Sequence, residues 1–109
     1  MHELGIALEL LDIVSERAAG ASVKRVVVEV GALTAVLPEA LDHAFGLVCE
    51  GTPFAGAALD IVAEPALGRC RSCALESKHT SLIGRCACGA WDFEWLSGSE
   101  LRVRELEVI

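Results

Sequence analysis

Four cysteines, Cys70, Cys73, Cys86 and Cys88, fall as two close pairs separated by twelve residues, and they constrain this chain more than any other feature. The stretch around them, Gly68 to Gly89, is made mostly of small and polar residues. It holds too few large apolar side chains to build a core of its own, so a cross-link has to supply its folding energy. The start of the chain has an acid at position 3 where a secretory leader would carry basic residues, which places the protein in the cytoplasm. In that reducing compartment, clustered cysteines read as metal ligands before disulfides.

Four thiolates at tetrahedral geometry select Zn²⁺, and each close pair can clasp the ion from one tight turn. The Cys70/Cys73 pair has two intervening residues and the Cys86/Cys88 pair only one, so the second turn must be tighter or one ligand must differ. His79, between the pairs, is the alternative zinc ligand; otherwise it is an exposed loop histidine. A redox dithiol at Cys70 and Cys73 would lack the strand-helix setting that activates such pairs. Cys49 stands alone and reads as a small buried hydrophobe.

Around this insert the pattern is that of a small α+β domain. Leu4, Leu8, Leu11, Val14 and Ala18, with Ala7 beside them, repeat at helical spacing opposite Glu9, Asp12 and Glu16, and Gly20 supplies a C-terminal stop. Val23 to Val30 reads as a strand buried mainly through Val26, Val28 and Val30. Pro38 opens a second helix of about twelve residues carrying Leu41, Ala44, Phe45 and Val48, with His43 structural or exposed. Ala58 to Glu64 alternates as a half-exposed strand. Trp91, Phe93 and Trp95 alternate as a further strand, and Leu101 and Val103 as the last. Leu106 and Val108 fall out of phase with that last strand, which predicts a bulge near Arg104-Glu105. The elements in residues 1–66 and 99–109 make an α+β domain into which the cysteine-rich stretch, 67–98, is inserted as a zinc ribbon.

A net charge of −7 with only nine scattered Lys and Arg excludes a nucleic-acid binder. No stretch has the ~18 uninterrupted apolar residues of a membrane span, because Asp12, Glu16 and Arg17 break up the most hydrophobic region. There is no nucleophile–base pairing, phosphate-binding glycine loop or open catalytic zinc site, so the sequence does not read as an enzyme.

The N-terminus carries a second candidate metal site. His2 is too bulky to permit removal of the initiator, so the free amine is that of Met1. That amine, the deprotonated His2 amide and His2 Nδ1 can close two fused chelate rings. A fourth position is left for the Glu3 amide or carboxylate or for a distant ligand. Nitrogen donors in a plane suit Ni²⁺ or Cu²⁺ better than Zn²⁺.

Met1-His2-Glu3 opening into an amphipathic helix, Val28-Glu29-Val30-Gly31, Pro38-Glu39-Ala40-Leu41, the four cysteines and Leu101-Arg102-Val103 occur in this order. Together they resemble the HypA/HybF family of hydrogenase maturation proteins, over essentially the whole chain. The resemblance implies a nickel metallochaperone that delivers Ni²⁺ to the large subunit of [NiFe]-hydrogenase with a partner GTPase, HypB, and a fold of two helices against an antiparallel sheet of about three strands with a zinc ribbon inserted before the last strand. It implies nickel on Met1, His2 and Glu3, and structural zinc on Cys70, Cys73, Cys86 and Cys88. The chain is expected to be a monomer or weak dimer. The single residue between Cys86 and Cys88 departs from the family pattern of two. The competing expectation is a zinc-ribbon module that binds another protein and has no nickel role.

Overall fold

The computed structural model describes residues 2–81 and 83–109. The elements run α1 (Glu3–Ala18), β1 (Val23–Gly31), a 3₁₀ turn (Ala32–Thr34), α2 (Pro38–Cys49), β2 (Ala58–Glu64), β3 (Ala66–Cys70), β4 (Glu76–His79), β5 (Phe93–Ser97) and β6 (Leu101–Val108). They form an α+β fold with two three-stranded sheets, ordered β2-β1-β6 and β4-β3-β5. The chain gathers into two compact units, one of Met1–Glu29, Val36–Val62 and Arg102–Ile109, the other of Val30–Ala35 and Ala63–Leu101. Among the described residues no helix is long and apolar enough to cross a membrane.

In the first unit, α1 and α2 pack on each other and bury Leu10, Val14, Leu41 and Phe45 together with Val26 and Val28 of the central strand. Each of these side chains contributes roughly 1.5–3 kcal/mol by leaving water. Pro38 occupies the first turn of α2, where its missing N–H costs nothing. Cys49 is buried as expected, and burial pushes its thiol pKa up. His43 is exposed.

The packing face of α1 is not the stripe expected from the sequence. Glu3, Ala7, Leu10, Val14 and Ala18 are buried, whereas Leu4 and Leu8 are 48% and 50% exposed. Two apolar stripes overlap on this helix, and the one containing small Ala7 and Ala18 turns inward, consistent with close approach of the neighbouring helix. The helix also ends one residue early. Ala19 takes the left-handed conformation (φ 50°) and Gly20 follows it with φ 92°.

Arg25 of β1 faces Glu107 of β6, and Glu29 faces Arg102, so β6 runs antiparallel to β1. Along β6, Leu101 and Val103 turn inward, Arg104 and Glu105 are both exposed, and Leu106 is again half-buried. That two-residue exposed step is the phase slip expected near Arg104-Glu105. Val27, on the charged face of β1, is buried beside side chains that include Arg25 and Glu107.

β5 and β6 do not form a hairpin. β5 pairs antiparallel with β3 in the second sheet, and β6 joins the first. Neither β3 nor β4 was expected, because Ala66-Leu67-Gly68-Arg69-Cys70 and Glu76-Ser77-Lys78-His79 carry no clear alternation. Trp91 lies before β5 and is exposed, its ring covered by the Arg85 guanidinium.

Backbone contacts around Gly31 and Gly98 lock the second unit. Gly31 N–H donates to Glu100 O and Leu33 N–H to Gly98 O. Gly98 has φ 122°, and a Cβ there would lie 2.5 Å from Ala66 Cβ. Gly98→Ala is therefore expected to destabilise the protein by at least about 2 kcal/mol. Gly46→Ala, in α2 with nothing within 4 Å of the added carbon, should instead stabilise by about 0.5–1 kcal/mol. Chemical-denaturation midpoints moving the same way in both variants would contradict this assignment.

Candidate metal centres

The four sulfurs of Cys70, Cys73, Cys86 and Cys88 all lie within 4.8 Å of one another, with Cys70–Cys88 at 3.6 Å and Cys73–Cys86 at 3.5 Å. A tetrahedron with metal–sulfur bonds of about 2.3 Å has sulfur–sulfur edges of about 3.8 Å, so the donor set matches Zn²⁺ in number, chemistry and approximate spacing. Among the described residues this is the one cluster of three or more such side chains able to hold a metal.

The two turns that present the sulfurs are the same device at different lengths. In the first, Ala74 N–H donates to Cys70 O and Cys70 N–H to Leu75 O, with Ala74 left-handed at φ 66°. In the second, Gly89 N–H donates to Cys86 O and Cys86 N–H to Ala90 O, with Gly89 left-handed at φ 93°. Each closure in the second turn spans one residue fewer. The single residue between Cys86 and Cys88 is thus absorbed by a tighter turn, and no substitute ligand is required. Cys70 and Cys86 are buried with Phe93, against Ala90 and Trp95, so two of the thiols are themselves part of this small core.

The electrostatics of the cluster call for a cation. N–H groups of Cys73 and then Ser72, with the thiols of Cys88 and Cys73, pull the Cys70 thiol down to about 6 despite the opposing effect of burial. The Leu75 N–H would lower Cys73 too, but neighbouring Cys86, burial, Cys88 and Cys70 outweigh it and push Cys73 up to about 12. Sulfurs this close cannot all carry charge unaided, whereas a divalent ion makes four thiolates compatible.

His79 is not part of the cluster. It lies on β4, half-buried, with Nε2 2.8 Å from Ser77 Oγ and its ring edge-on to Phe93 (4.5 Å) and Trp95 (5.4 Å). Gly84 passes so close that a Cβ there would sit 2.4 Å from Nδ1. His79 is therefore a packing residue of the second sheet, neither an exposed loop histidine nor a member of the sulfur cluster.

At the other candidate site, Met1 lies outside the described residues. His2 is exposed at the N-cap of α1, and its carbonyl accepts the first helical hydrogen bond, from Ile6 N–H. The amides of His2 and Glu3 belong to the first turn, where N–H groups have no acceptor within the helix. Glu3 is buried: its Oε2 accepts the Leu37 N–H at 3.2 Å, and that bond, followed by one from its own backbone N–H, holds the carboxyl below the usual range. Leu37 is the N-cap of α2 and has no capping side chain, so Glu3 supplies the negative charge that a helix N-terminus favours. The sequence carried the buried carboxylate in plain view, but its partner was a backbone group 34 positions away and left no residue-type signal. His2 Nε2 lies 3.9 Å from the same carboxylate oxygen.

A family model described as "Hydrogenase/urease nickel incorporation, metallochaperone, hypA" matches residues 1–108. The chain is 41% identical over 108 residues to "Hydrogenase maturation factor HypA" of Nostoc punctiforme, covering 99% of this chain and 96% of the relative. It is 40% identical to the protein of the same description from Geotalea uraniireducens, with 99% of both covered. Among solved structures, the "Ni metallochaperone HypA from Helicobacter pylori" superposes with a TM-score of 0.69 at 29% identity, covering all of this chain and 98% of that one.

Cys73→Ser and Cys88→Ser are each expected to lose stoichiometric zinc and unfold the second unit, because structural zinc contributes folding energy directly. His79→Ala should keep its zinc. Metal analysis of purified variants checks this, and zinc loss in His79→Ala would return the histidine to the ligand set.

Proposed function

The chain belongs to the HypA family of hydrogenase and urease nickel-incorporation metallochaperones, and from that membership we propose that it binds Ni²⁺ at its own N-terminus and delivers it during assembly of a [NiFe]-hydrogenase large subunit. It does this in the cytoplasm with a HypB-like GTPase and without catalysing a reaction. The observation that carries the reading is the setting of His2, which is exposed at the first turn of α1 while the residue after it is anchored. The nickel donors would be the Met1 amine, the His2 amide and imidazole, and the Glu3 backbone.

Two features support this assignment. First-turn amides can be deprotonated and metallated without breaking a helical hydrogen bond, because they have none to lose. The Glu3 carboxylate is occupied by Leu37 N–H, which favours its backbone over its side chain as donor and fixes the chain direction on leaving His2. An exposed site of this kind exchanges its metal readily, as a carrier requires. Zn²⁺ on Cys70, Cys73, Cys86 and Cys88 is the permanent partner, holding the second unit folded.

Nickel binding through deprotonated nitrogen weakens as pH falls, since protons compete for the imidazole and the amide. His2→Ala, or one extra residue before Met1, is expected to weaken Ni²⁺ binding at least tenfold while zinc content is unchanged. Calorimetric titration of protein with a native N-terminus measures both. Unchanged nickel affinity in either variant would overturn the proposed donor set.

A further inference from the structure

The leucine stripe that the fold leaves outside is a surface in need of a partner. Leu4 and Leu8 are about half exposed and Leu11 is half-buried. At about 100° per residue, the three fall on one line about a quarter turn away from the buried face of α1. Isolated exposed leucines are unremarkable, but an aligned stripe of them on one helix is the pattern that an amphipathic partner reads. The stripe starts two residues after His2.

Its outer border is acidic. Asp12, Glu16 and Glu9 follow the leucines around the helix, all three are exposed, and none has an ion pair among the described residues. Several acids on the sheets, by contrast, are held by arginines: Glu29 by Arg102 and Arg104, Asp60 and Glu107 by Arg25, and Glu76 and Glu94 by Arg69. The basic side chains are largely spent there, so the border of the leucine stripe, Asp12, Glu16 and Glu9, carries one sign beside an apolar line. A second copy of this chain would bring the same acids against themselves, and an anionic membrane would repel them.

We propose that the outer face of α1, Leu4-Leu8-Leu11 bordered by Asp12, Glu16 and Glu9, docks a partner protein through a segment with an apolar face and Lys or Arg along its edge. The leucines supply affinity by leaving water, and the acids set orientation and accelerate encounter. The surface requires no nickel, and its test stands apart from the nickel titration.

The probe is a labelled helical peptide matching α1 in length, leucine on one face and lysine on the other, titrated against zinc-loaded, nickel-free protein by fluorescence anisotropy. The same peptide with glutamate for lysine is the control. The lysine peptide is expected to bind, and the glutamate peptide at least about tenfold more weakly. Leu4→Ser/Leu8→Ser should lose about tenfold or more, and Asp12→Asn/Glu16→Gln severalfold, with helical signal and zinc content retained. Ile83→Ser, which removes an 80% exposed apolar side chain elsewhere, should change nothing. Equal binding by the Leu4→Ser/Leu8→Ser variant would reduce the effect to net acidity and overturn the proposal. So would equal loss in Ile83→Ser, or a concentration-dependent dimer in sedimentation that Leu4→Ser/Leu8→Ser abolishes.

Discussion

Four sulfurs within 4.8 Å are an electrostatic problem that one bound ion would solve, and the small core of the second unit leaves much for that solution to supply. Its core consists of Cys70, Cys86 and Phe93, with Ala90 and Trp95 packed against them. So little apolar area cannot offset the entropy of ordering loops on both sides of the cysteines. The ligands therefore serve twice, as donors to a cation and as buried side chains. The two turns that hold them can differ in length because only the sulfur positions matter. A left-handed residue closes each turn, alanine in the longer and glycine in the shorter.

The N-terminal site is organised on the opposite principle. Among its described residues, His2 is exposed and Glu3 is buried, and the Glu3 side chain is spent on the uncapped start of α2. The bond does two jobs. It offsets the missing cap at Leu37, and it tethers the residue following His2, so an exposed histidine keeps a defined place on the helix. A carboxylate held below its usual pKa contributes stability that is complete above the unfolded-state value and lost as pH falls through the folded one. Acid therefore releases this tether at the same end of the chain where protons compete for nickel in the proposed site.

Much of this was readable from residue types. Pro38, the helical spacing of Leu41, Ala44 and Phe45, the β-branched run of β1, the phase slip in β6 and the sulfur cluster all follow from local rules that the structure obeys. What escaped has a common cause, which is that the deciding partner lies far away in sequence. Leu4-Leu8-Leu11 and Ala7-Leu10-Val14 are both acceptable stripes, and only the neighbouring surface chooses between them. β3 carries no strand signal of its own, and only its antiparallel partners β4 and β5 make it the centre of the second sheet. His79 looks like a spare ligand because proximity in sequence to four cysteines suggests proximity in space. The aromatic pair that holds it, Phe93 and Trp95, comes from a strand more than a dozen residues later.

Nitrogen and thiolate donors lie in different stretches of this sequence, and that division bears on how one protein could hold two metals without confusing them. Thiolates bind zinc and nickel alike, and at equilibrium a tetrathiolate site would compete with any nitrogen site for incoming nickel. Geometry opposes the exchange. The turns around Cys70 and Cys86 are closed by backbone hydrogen bonds that gather the sulfurs into a compact cluster suited to a tetrahedral ion, whereas a d⁸ ion favours a plane. In the proposed arrangement the terminus offers that plane and has no thiolate to attract zinc. A rigid cage for the resident ion and a loose, nitrogen-rich end for the travelling one follow from where the chain invests its hydrogen bonds.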